Sequence, residues 1–282
     1  MPTVVRALNG KVVAITGGAR GIGRATAAAL LAQGARVAIG DLDGESTRRV
    51  AAELGAGAIG LPLDVTSRER FSSFLDRVER ELGPLDVLVN NAGIAPTGEF
   101  AREPDAVTAR VLEVNVIGTM LGCKLAVERM LPRDSGHIVN VSSALGRAPA
   151  PGIASYSASK HAIVGLTGAL RRELDGTGLE LHLILPYLIA TDMAAGVKPL
   201  RGMRLLDPED VADAIVNALQ SGRGEAYVPR QLGWLVALEG ITREPAARLM
   251  RRLLGADRMF TQVDALERAA YEARIEPPVT VN

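Results

Sequence analysis

A glycine-rich turn near the start of the chain constrains the fold more than any other feature. Residues 16–23, Thr-Gly-Gly-Ala-Arg-Gly-Ile-Gly, separate the apolar run 12–15 from a stretch with helical spacing of apolar residues. Glycines there let the backbone turn sharply, and the helix N-terminus offers unpaired N–H groups to a phosphate. The chain has 30 glycines, so a glycine motif taken alone is about as often an ordinary turn as a phosphate-binding one. Its position between strand and helix favours a phosphate site.

Short apolar runs alternate with helical stretches up to residue 230. The runs predict seven strands, at 12–15, 37–39, 59–63, 87–89, 138–141, 181–185 and 226–228. Helices are predicted at 21–33, 66–82, 104–130, 155–174 and 208–219. Strands that are apolar on both faces suit a sheet covered on both sides. The pattern predicts an α/β fold, a doubly wound parallel sheet of seven strands with helices on both faces.

Composition excludes several classes of protein. Lys+Arg and Asp+Glu each number 32, so the formal net charge is zero and the broad basic field of a nucleic-acid binder is absent. One cysteine, Cys123, excludes an internal disulfide and a thiolate zinc site. The three histidines, His137, His161 and His182, have no metal-ligand spacing, and we expect no metal.

The chain shows no signal for secretion or membrane insertion. The first nine residues contain no apolar run of signal-peptide length. The longest nearly apolar run, 181–190, is about half of a membrane span. We therefore expect a cytoplasmic protein.

An acidic residue follows each of the second and third predicted strands. Asp41 lies 18 residues after Gly23, where a carboxylate can accept both hydroxyls of an adenosine ribose and repel a 2′-phosphate. It favours NAD over NADP, although a solvated turn aspartate is an open alternative. Arg20 could pair with a 2′-phosphate, so NADP stays the less favoured cofactor. Asp64 could bind the adenine amino group or cap the following helix.

A tyrosine and a lysine lie one helical turn apart. Tyr156 and Lys160 share one face of the predicted helix, and an ammonium group nearby lowers the pKa of a phenol. The pair would then work as a proton donor and acceptor, or it lies on an exposed helix face. Ser143 follows a strand at the carboxyl edge of the sheet and could bind a substrate carbonyl. Spacing alone does not distinguish it from Ser142.

These motifs, together with Asn90-Asn91-Ala92-Gly93 and Asn115, resemble the short-chain dehydrogenase/reductase family in its short single-domain branch. The resemblance covers about residues 8–230. We expect a Rossmann-fold dehydrogenase domain over 1–230, followed by a helical C-terminal extension over 231–282 that exceeds what the resemblance needs. The resemblance also implies a homodimer or homotetramer built on the long helices around 111–130 and 155–174.

The resemblance implies a role for each motif. Tyr156 would be the catalytic acid and base, Lys160 would lower its pKa, and Ser143 would orient the substrate oxygen. Asn115 would anchor a water that relays protons to Lys160. The cofactor-binding residues would be Gly17, Arg20, Gly21, Ile22, Gly23, Asp41, Asp64, Val65, Asn91, Ala92, Gly93, Tyr156, Lys160, Pro186, Ile189 and Thr191.

One position departs from the family pattern. Family members usually carry Pro-Gly after the sixth strand, whereas Tyr187 follows Pro186 here. A tyrosine at a positive φ would be strained. At an ordinary φ the substitution is either simply tolerated or places a ring in the substrate cavity. We hypothesise that Tyr187 narrows the pocket.

The segments 94–97, 144–153 and 187–200 are expected to surround the substrate, and they carry little charge. They favour an apolar alcohol or ketone, such as a lipid or steroid-like compound. Residues 245–254, with Gly255 after them, predict an amphipathic helix. It would pack on its own domain, cover the substrate mouth, contact a second subunit or touch an anionic membrane surface.

The leading functional prediction is an NAD-dependent oxidoreductase acting on an apolar secondary alcohol or ketone. An NADPH-dependent 3-oxoacyl reductase of lipid synthesis is an alternative that Arg20 favours and Asp41 opposes. A binding protein that senses the cofactor without turnover is another, opposed by the complete set of Ser143, Tyr156 and Lys160.

Overall fold

The sheet has seven parallel strands. The computed structural model describes residues 6–241 and 252–275. The strands are β1 (Val12–Thr16), β2 (Arg36–Asp41), β3 (Ala58–Pro62), β4 (Val87–Asn90), β5 (Gly136–Val141), β6 (Leu179–Pro186) and β7 (Glu225–Val228). They pair in the order β3-β2-β1-β4-β5-β6-β7, and every neighbouring pair is parallel. The doubly wound sheet predicted from the sequence is confirmed.

Helices cover both faces of this sheet. Among the described residues the helices are α1 (Gly21–Ala32), α2 (Gly44–Leu54), α3 (Arg68–Leu82), α4 (Asp105–Leu112), α5 (Gly118–Met130), α6 (Ala154–Glu173), α7 (Pro208–Ser221), α8 (Leu232–Ile241) and α9 (Ala265–Ile275). A π-helical turn, Glu113–Ile117, joins α4 to α5 without a break. The predicted helix at 245–254 falls largely on residues outside the described ranges.

Strand β1 shows how the sheet divides the core. Val13 and Ile15 pack into one cluster with residues of α1 and α7. Val12 and Ala14 pack into a second cluster with residues of α3 and α5. Successive side chains of a strand point to opposite faces, and both faces of β1 are buried. Burial on both sides explains why the strands read as continuous apolar runs.

Helix α2 is an element that the apolar pattern does not predict. Thr47, Val50 and Ala51 are its only buried residues, so its apolar stripe is too narrow to stand out. The available signal is its cap, because the Asp43 side chain accepts hydrogen bonds from the backbone N–H groups of Glu45 and Ser46. Aspartate is a preferred N-cap residue for this reason.

The helical segment Asp105–Arg133 is long and apolar enough to cross a membrane by length and composition alone. The run 181–190, which is the longest nearly apolar run in the sequence, is a different segment and lies mostly in strand β6. Nearly half of the apolar window in 105–133 is buried, and α5 contacts α3, β4 and β5. Its apolar side therefore packs against the sheet.

Candidate active site

A cavity of about 1020 Å³ opens at the carboxyl ends of the strands. Parallel sheets bind ligands at this edge. The cavity brings together nearly all of the residues predicted for the cofactor and for catalysis. Those that line it are Gly17, Arg20, Gly21, Ile22, Asp41, Asp64, Val65, Asn91, Ala92, Gly93, Ser143, Tyr156, Lys160, Pro186, Ile189 and Thr191. Gly23 and Asn115 are not among its lining residues.

The backbone of the glycine turn adopts a conformation that lets other groups approach it closely. Gly17 and Gly21 have φ of +65° and +48°, a region that side-chain-bearing residues rarely adopt. A Cβ at Gly23 would lie 2.2 Å from the Gly17 carbonyl oxygen, so this glycine serves the packing of α1 and does not face the cavity. The Asn91 side chain donates hydrogen bonds to the carbonyls of Thr16 and Gly17, at 2.9 and 3.1 Å.

The N-terminus of α1 fits a phosphate group. Its N-cap residue, Arg20, makes no side-chain hydrogen bond to the first turn, and that turn holds no acidic residue. Unpaired N–H groups and the partial positive charge of the helix therefore remain available beside the cavity. Together with the turn that only glycines can form, this arrangement fits the pyrophosphate of a dinucleotide.

The two acidic residues at the cavity differ in their surroundings. Asp41 ends β2 and lines the cavity, and Leu42 beside it is exposed. Asp64 accepts hydrogen bonds from the backbone N–H and the hydroxyl of Thr66, at 3.0 and 2.7 Å. Asp64 thus shapes the turn before α3, whose N-cap is Ser67. It borders the cavity at the same time.

Arg20 lies at the cavity edge but close to an acidic group. Its guanidinium is 3.8 Å from the Asp192 carboxylate. Both side chains are largely exposed, so this ion pair contributes little to stability. The Asp192 carboxylate also pairs with Arg274 of α9, at 2.9 Å.

The structure separates the two serines that spacing left equivalent. The Ser142 hydroxyl donates to the backbone carbonyl of Lys160 at 2.9 Å. The Ser143 hydroxyl accepts from the Leu145 N–H at 3.1 Å and bonds to the hydroxyl of Tyr156. Ser143 is therefore the serine that meets the tyrosine.

Tyr156 and Lys160 lie on the same side of α6, as their spacing predicts. Both are buried, and the Lys160 Nζ is 5.5 Å from the centre of the Tyr156 ring. The Lys160 ammonium donates to the Val141 carbonyl at 3.0 Å. Burial lowers the pKa of Lys160 to about 8.

The expected depression of the Tyr156 pKa is not seen in this structure. Burial raises the pKa of Tyr156 well above its ordinary value, and the nearby Tyr271 raises it further. The hydrogen bond with Ser143 acts in the opposite direction. The cost of placing a phenolate in a closed apolar site outweighs this bond. Burial sets the net direction of this shift and Lys160 is not among its causes, so the lowering of the Tyr156 pKa by Lys160 stays a prediction.

Asn115 lies behind the cavity rather than on it. It is fully buried in the π-helical turn. Its side chain accepts from the Ile94 N–H at 2.9 Å and donates to the Ile94 carbonyl at 2.9 Å and the Ser159 hydroxyl at 3.0 Å. Asn115 thus ties the segment after β4 to α6.

Tyr187 has an ordinary backbone conformation. Among the described residues, Asp134 is the only non-glycine with positive φ, so Tyr187 carries no backbone strain from a positive φ. Its hydroxyl accepts from the Leu200 N–H at 2.6 Å, and the residue lines the cavity. That it narrows the pocket stays a prediction.

The substrate end of the cavity is apolar, as expected from the three loop segments. Leu145, Ile153, Leu188 and Met193 line it. Residues from the C-terminal region, which no local motif marks, line it as well; they include Met259, Phe260 and Tyr271. Each of these three lies more than 60 residues further along the chain than Met193.

Two histidines that are distant in sequence meet at the opposite end of the sheet. His137 and His182 lie on β5 and β6, and with Glu180 they place ligand-type atoms within 4.8 Å of one another. Each already has a partner: the two rings bond at 3.2 Å, His182 bonds to the Arg223 carbonyl, and Glu180 pairs with Arg6. We assign no metal to this group.

Comparison with known proteins points to one family. A family model described as short chain dehydrogenase matches residues 11–201. A crystal structure of a short chain dehydrogenase/reductase from Burkholderia phymatum in complex with NAD superposes with a TM-score of 0.77 and 27% identity. The match covers 83% of this chain and 94% of that one.

Curated relatives carry different names. The probable oxidoreductase EphD of Mycobacterium tuberculosis is 37% identical over 82% of this chain, which spans only 43% of EphD. The 2-(S)-hydroxypropyl-CoM dehydrogenase 3 of Xanthobacter autotrophicus is 38% identical, over 74% of this chain and 89% of its own length. A 3-alpha-(or 20-beta)-hydroxysteroid dehydrogenase of M. tuberculosis is 35% identical, over 81% and 82%.

Proposed function

This chain belongs to the short-chain dehydrogenase family, and on that premise we propose that it oxidises an apolar secondary alcohol or reduces the corresponding ketone. The observation that supports this most is a shared cavity. The glycine turn of α1 and the Ser143–Tyr156–Lys160 group line the same space. A nicotinamide cofactor, when bound, supplies the carbon that takes up or gives the hydride.

The protein's own groups handle the proton and the substrate oxygen. In this proposal the Tyr156 hydroxyl exchanges a proton with the substrate oxygen, and Ser143 bonds to the same oxygen. Lys160 places a positive charge beside the phenol and favours its ionised form. Burial excludes water from all three groups, which strengthens these interactions.

NAD is the cofactor we propose. Asp41 lines the cavity at the end of β2, and the next residue, Leu42, brings no positive charge to a 2′-phosphate. Arg20 is the group that would favour NADP, but it lies near the Asp192 carboxylate. The NAD-bound structural neighbour is in keeping with this proposal. An NADPH-dependent 3-oxoacyl reductase is the second candidate, on the strength of Arg20.

The apolar lining supports a substrate of the same character. A hydroxysteroid dehydrogenase is among the relatives, whereas the hydroxypropyl-CoM dehydrogenase acts, by its name, on a different compound. The relatives therefore support a secondary alcohol as the reacting group. In this proposal the apolar lining of the pocket selects the rest of the substrate molecule. A screen of aliphatic and cyclic alcohols and ketones with both cofactors, followed by nicotinamide absorbance, would identify it.

Replacing Tyr156→Phe tests the proposal. We expect kcat to fall by about 10²–10⁴-fold, the usual contribution of a general acid or base, while the Kd for NAD stays within about twofold. Tyr227→Phe is the matched control, since Tyr227 lies on β7 and does not line this cavity. A wild-type protein that binds NAD but turns over no alcohol or ketone would favour the sensor alternative.

We also propose that the protein forms a homo-oligomer. Leu112 and Ile117, next to α5, are apolar side chains that are 41% and 46% exposed. Contact with a second subunit would cover them. Ile117→Glu should shift the molar mass measured by light scattering toward the monomer. An unchanged mass, or a monomeric wild type, would contradict this surface as the interface.

A further inference from the structure

The C-terminal residues 256–275, called here the C-terminal cap, touch two of the loops around the substrate end of the cavity. Gly152 has φ +81°, and a Cβ there would lie 2.6 Å from the Phe260 carbonyl oxygen. Gly196 has φ +71°, and a Cβ there would lie 2.4 Å from the Asp264 carbonyl oxygen. The Asp264 N–H donates to the Gly196 carbonyl at 3.0 Å. The cap therefore packs directly on loop backbone.

Arg268 of α9 fastens the cap to the protein. Its side chain is only 3% exposed. The guanidinium donates to the carbonyls of Met193 at 2.8 Å and Ala195 at 3.3 Å, and also to that of Ala95. Its remaining charge is met by Glu272. A buried guanidinium is tolerated only with such a set of partners, so this one links the segments after β4 and β6.

Tyr271 brings the cap to the reacting groups. It is buried, and its hydroxyl accepts from the Ala95 N–H at 2.8 Å. Arg268 lies over its ring, 4.8 Å from the ring centre. Tyr271 lines the same cavity as Tyr156. It is also near enough to Tyr156 to oppose ionisation of that phenol.

The cap completes an apolar wall. Met259 and Phe260 belong to the same buried cluster as Ile153, Tyr156 and Leu188. The Arg268 guanidinium already binds backbone carbonyls and pairs with Glu272, so few of its N–H groups remain to bind a ligand. An apolar group is therefore the chemistry this wall accepts.

We propose that the C-terminal cap is a fixed wall of the substrate pocket, clamped by Arg268, in which Tyr271 limits the size of the apolar group beside the reacting carbon. This inference rests on the proposed function and deepens it. It makes Tyr271 a specificity-determining residue and Arg268 a positioning residue. Neither carries the hydride or the proton.

A series of 2-ketones with increasing chain length tests the proposal. Tyr271→Ala should raise kcat/KM for the longest ketones relative to the shortest by at least about tenfold, the value of one or two methylene groups in an apolar pocket. Tyr271→Phe keeps the ring and should keep the wild-type preference. Leu266→Ala is the control, because Leu266 lies on the same helix but is 90% exposed.

Arg268→Lys tests the clamp. Lysine lacks the planar fork that reaches several carbonyls at once. We expect KM to rise several-fold across the series while the Kd for NAD stays within about twofold. Amide hydrogen exchange of residues 193–197 should become faster. Unchanged exchange and unchanged KM would overturn the clamp.

The inference and the proposed function can fail separately. Calorimetric titration with the same ketones measures their affinity for the pocket and does not depend on turnover. If the wild type turns over no ketone but Tyr271→Ala gains affinity for the long ones, the function is wrong and the wall stands. If the wild type is active and Tyr271→Ala keeps the wild-type preference in both assays, the wall proposal is overturned.

Discussion

The Lys160 ammonium lies 5.5 Å from the centre of the Tyr156 ring, with both side chains buried. The two groups respond to burial in opposite directions. The pKa of Tyr156 is raised and that of Lys160 is lowered to about 8, since each is held toward its neutral form. The site therefore opposes the charged form of each side chain, and holding Lys160 charged at neutral pH lowers the stability of the folded protein.

Lys160→Met should stabilise the protein while abolishing turnover. At pH 7 the native state holds a charged Lys160 whose pKa has fallen from 10.5 to about 8, which costs about 3 kcal/mol. The variant also loses the hydrogen bond to the Val141 carbonyl, which costs about 1 kcal/mol of stability. We therefore expect the free energy of unfolding, measured with urea, to rise by about 2 kcal/mol in all. The gain should fade between pH 8 and 10.5, where the unfolded wild-type chain still binds a proton that the native state has released. A destabilised variant at pH 7 would contradict this.

Asp41 should control the choice of cofactor. Asp41→Ala combined with Leu42→Arg removes the carboxylate that repels a 2′-phosphate and adds a cation beside it. We expect the ratio of the Kd for NADP to that for NAD to fall by at least about tenfold, one close charge interaction. Asp43→Ala is the control, since Asp43 caps α2 through Glu45 and Ser46. An unchanged ratio would remove Asp41 from the ribose site.

Gly23 should tolerate no side chain. A Cβ there meets the Gly17 carbonyl oxygen at 2.2 Å and the Asn91 side chain at 2.8 Å. Gly23→Ala must open the turn, and overpacking of this kind costs about 1–3 kcal/mol. We expect that loss in urea unfolding, together with at least about tenfold weaker NAD binding by calorimetry. Wild-type affinity would show that the turn does not contact the cofactor.

His137 should make stability depend on pH below neutrality. Burial lowers its pKa from 6.5 to about 4, and the neighbouring His182 adds to the effect. As pH falls from 6.5 toward 4, the unfolded chain takes up a proton that the folded one does not. The wild type should therefore lose about 2 kcal/mol between pH 7 and pH 5 from this group.

His137→Gln should remove most of that dependence, as read from the midpoint of urea unfolding. His161→Gln is the control, because His161 is exposed on α6. A variant at His137 with the full wild-type slope would show that other groups dominate the pH dependence.

The sequence by itself determined the sheet and most of the cofactor side of the site. Apolar runs specified seven strands because both faces of the sheet are covered, and glycines marked the turn before α1. Tyr156 and Lys160 could be paired because one helical turn separates them. Asp41 and the Ser142–Ser143 pair could be placed because parallel strands end at one edge of the sheet, although spacing did not distinguish the two serines. Each of these inferences uses local spacing or a general rule of the fold.

Only the tertiary structure decided the rest of the site. The Tyr271 hydroxyl meets the Ala95 N–H across 176 residues of chain, and Arg268 reaches carbonyls of three distant residues. Neither contact leaves a periodic or local signal. The raised pKa of Tyr156 depends on which groups surround the phenol and how little water reaches it. Burial and long-range contact are properties of the assembled fold, and they set the shape and the electrostatics of the pocket.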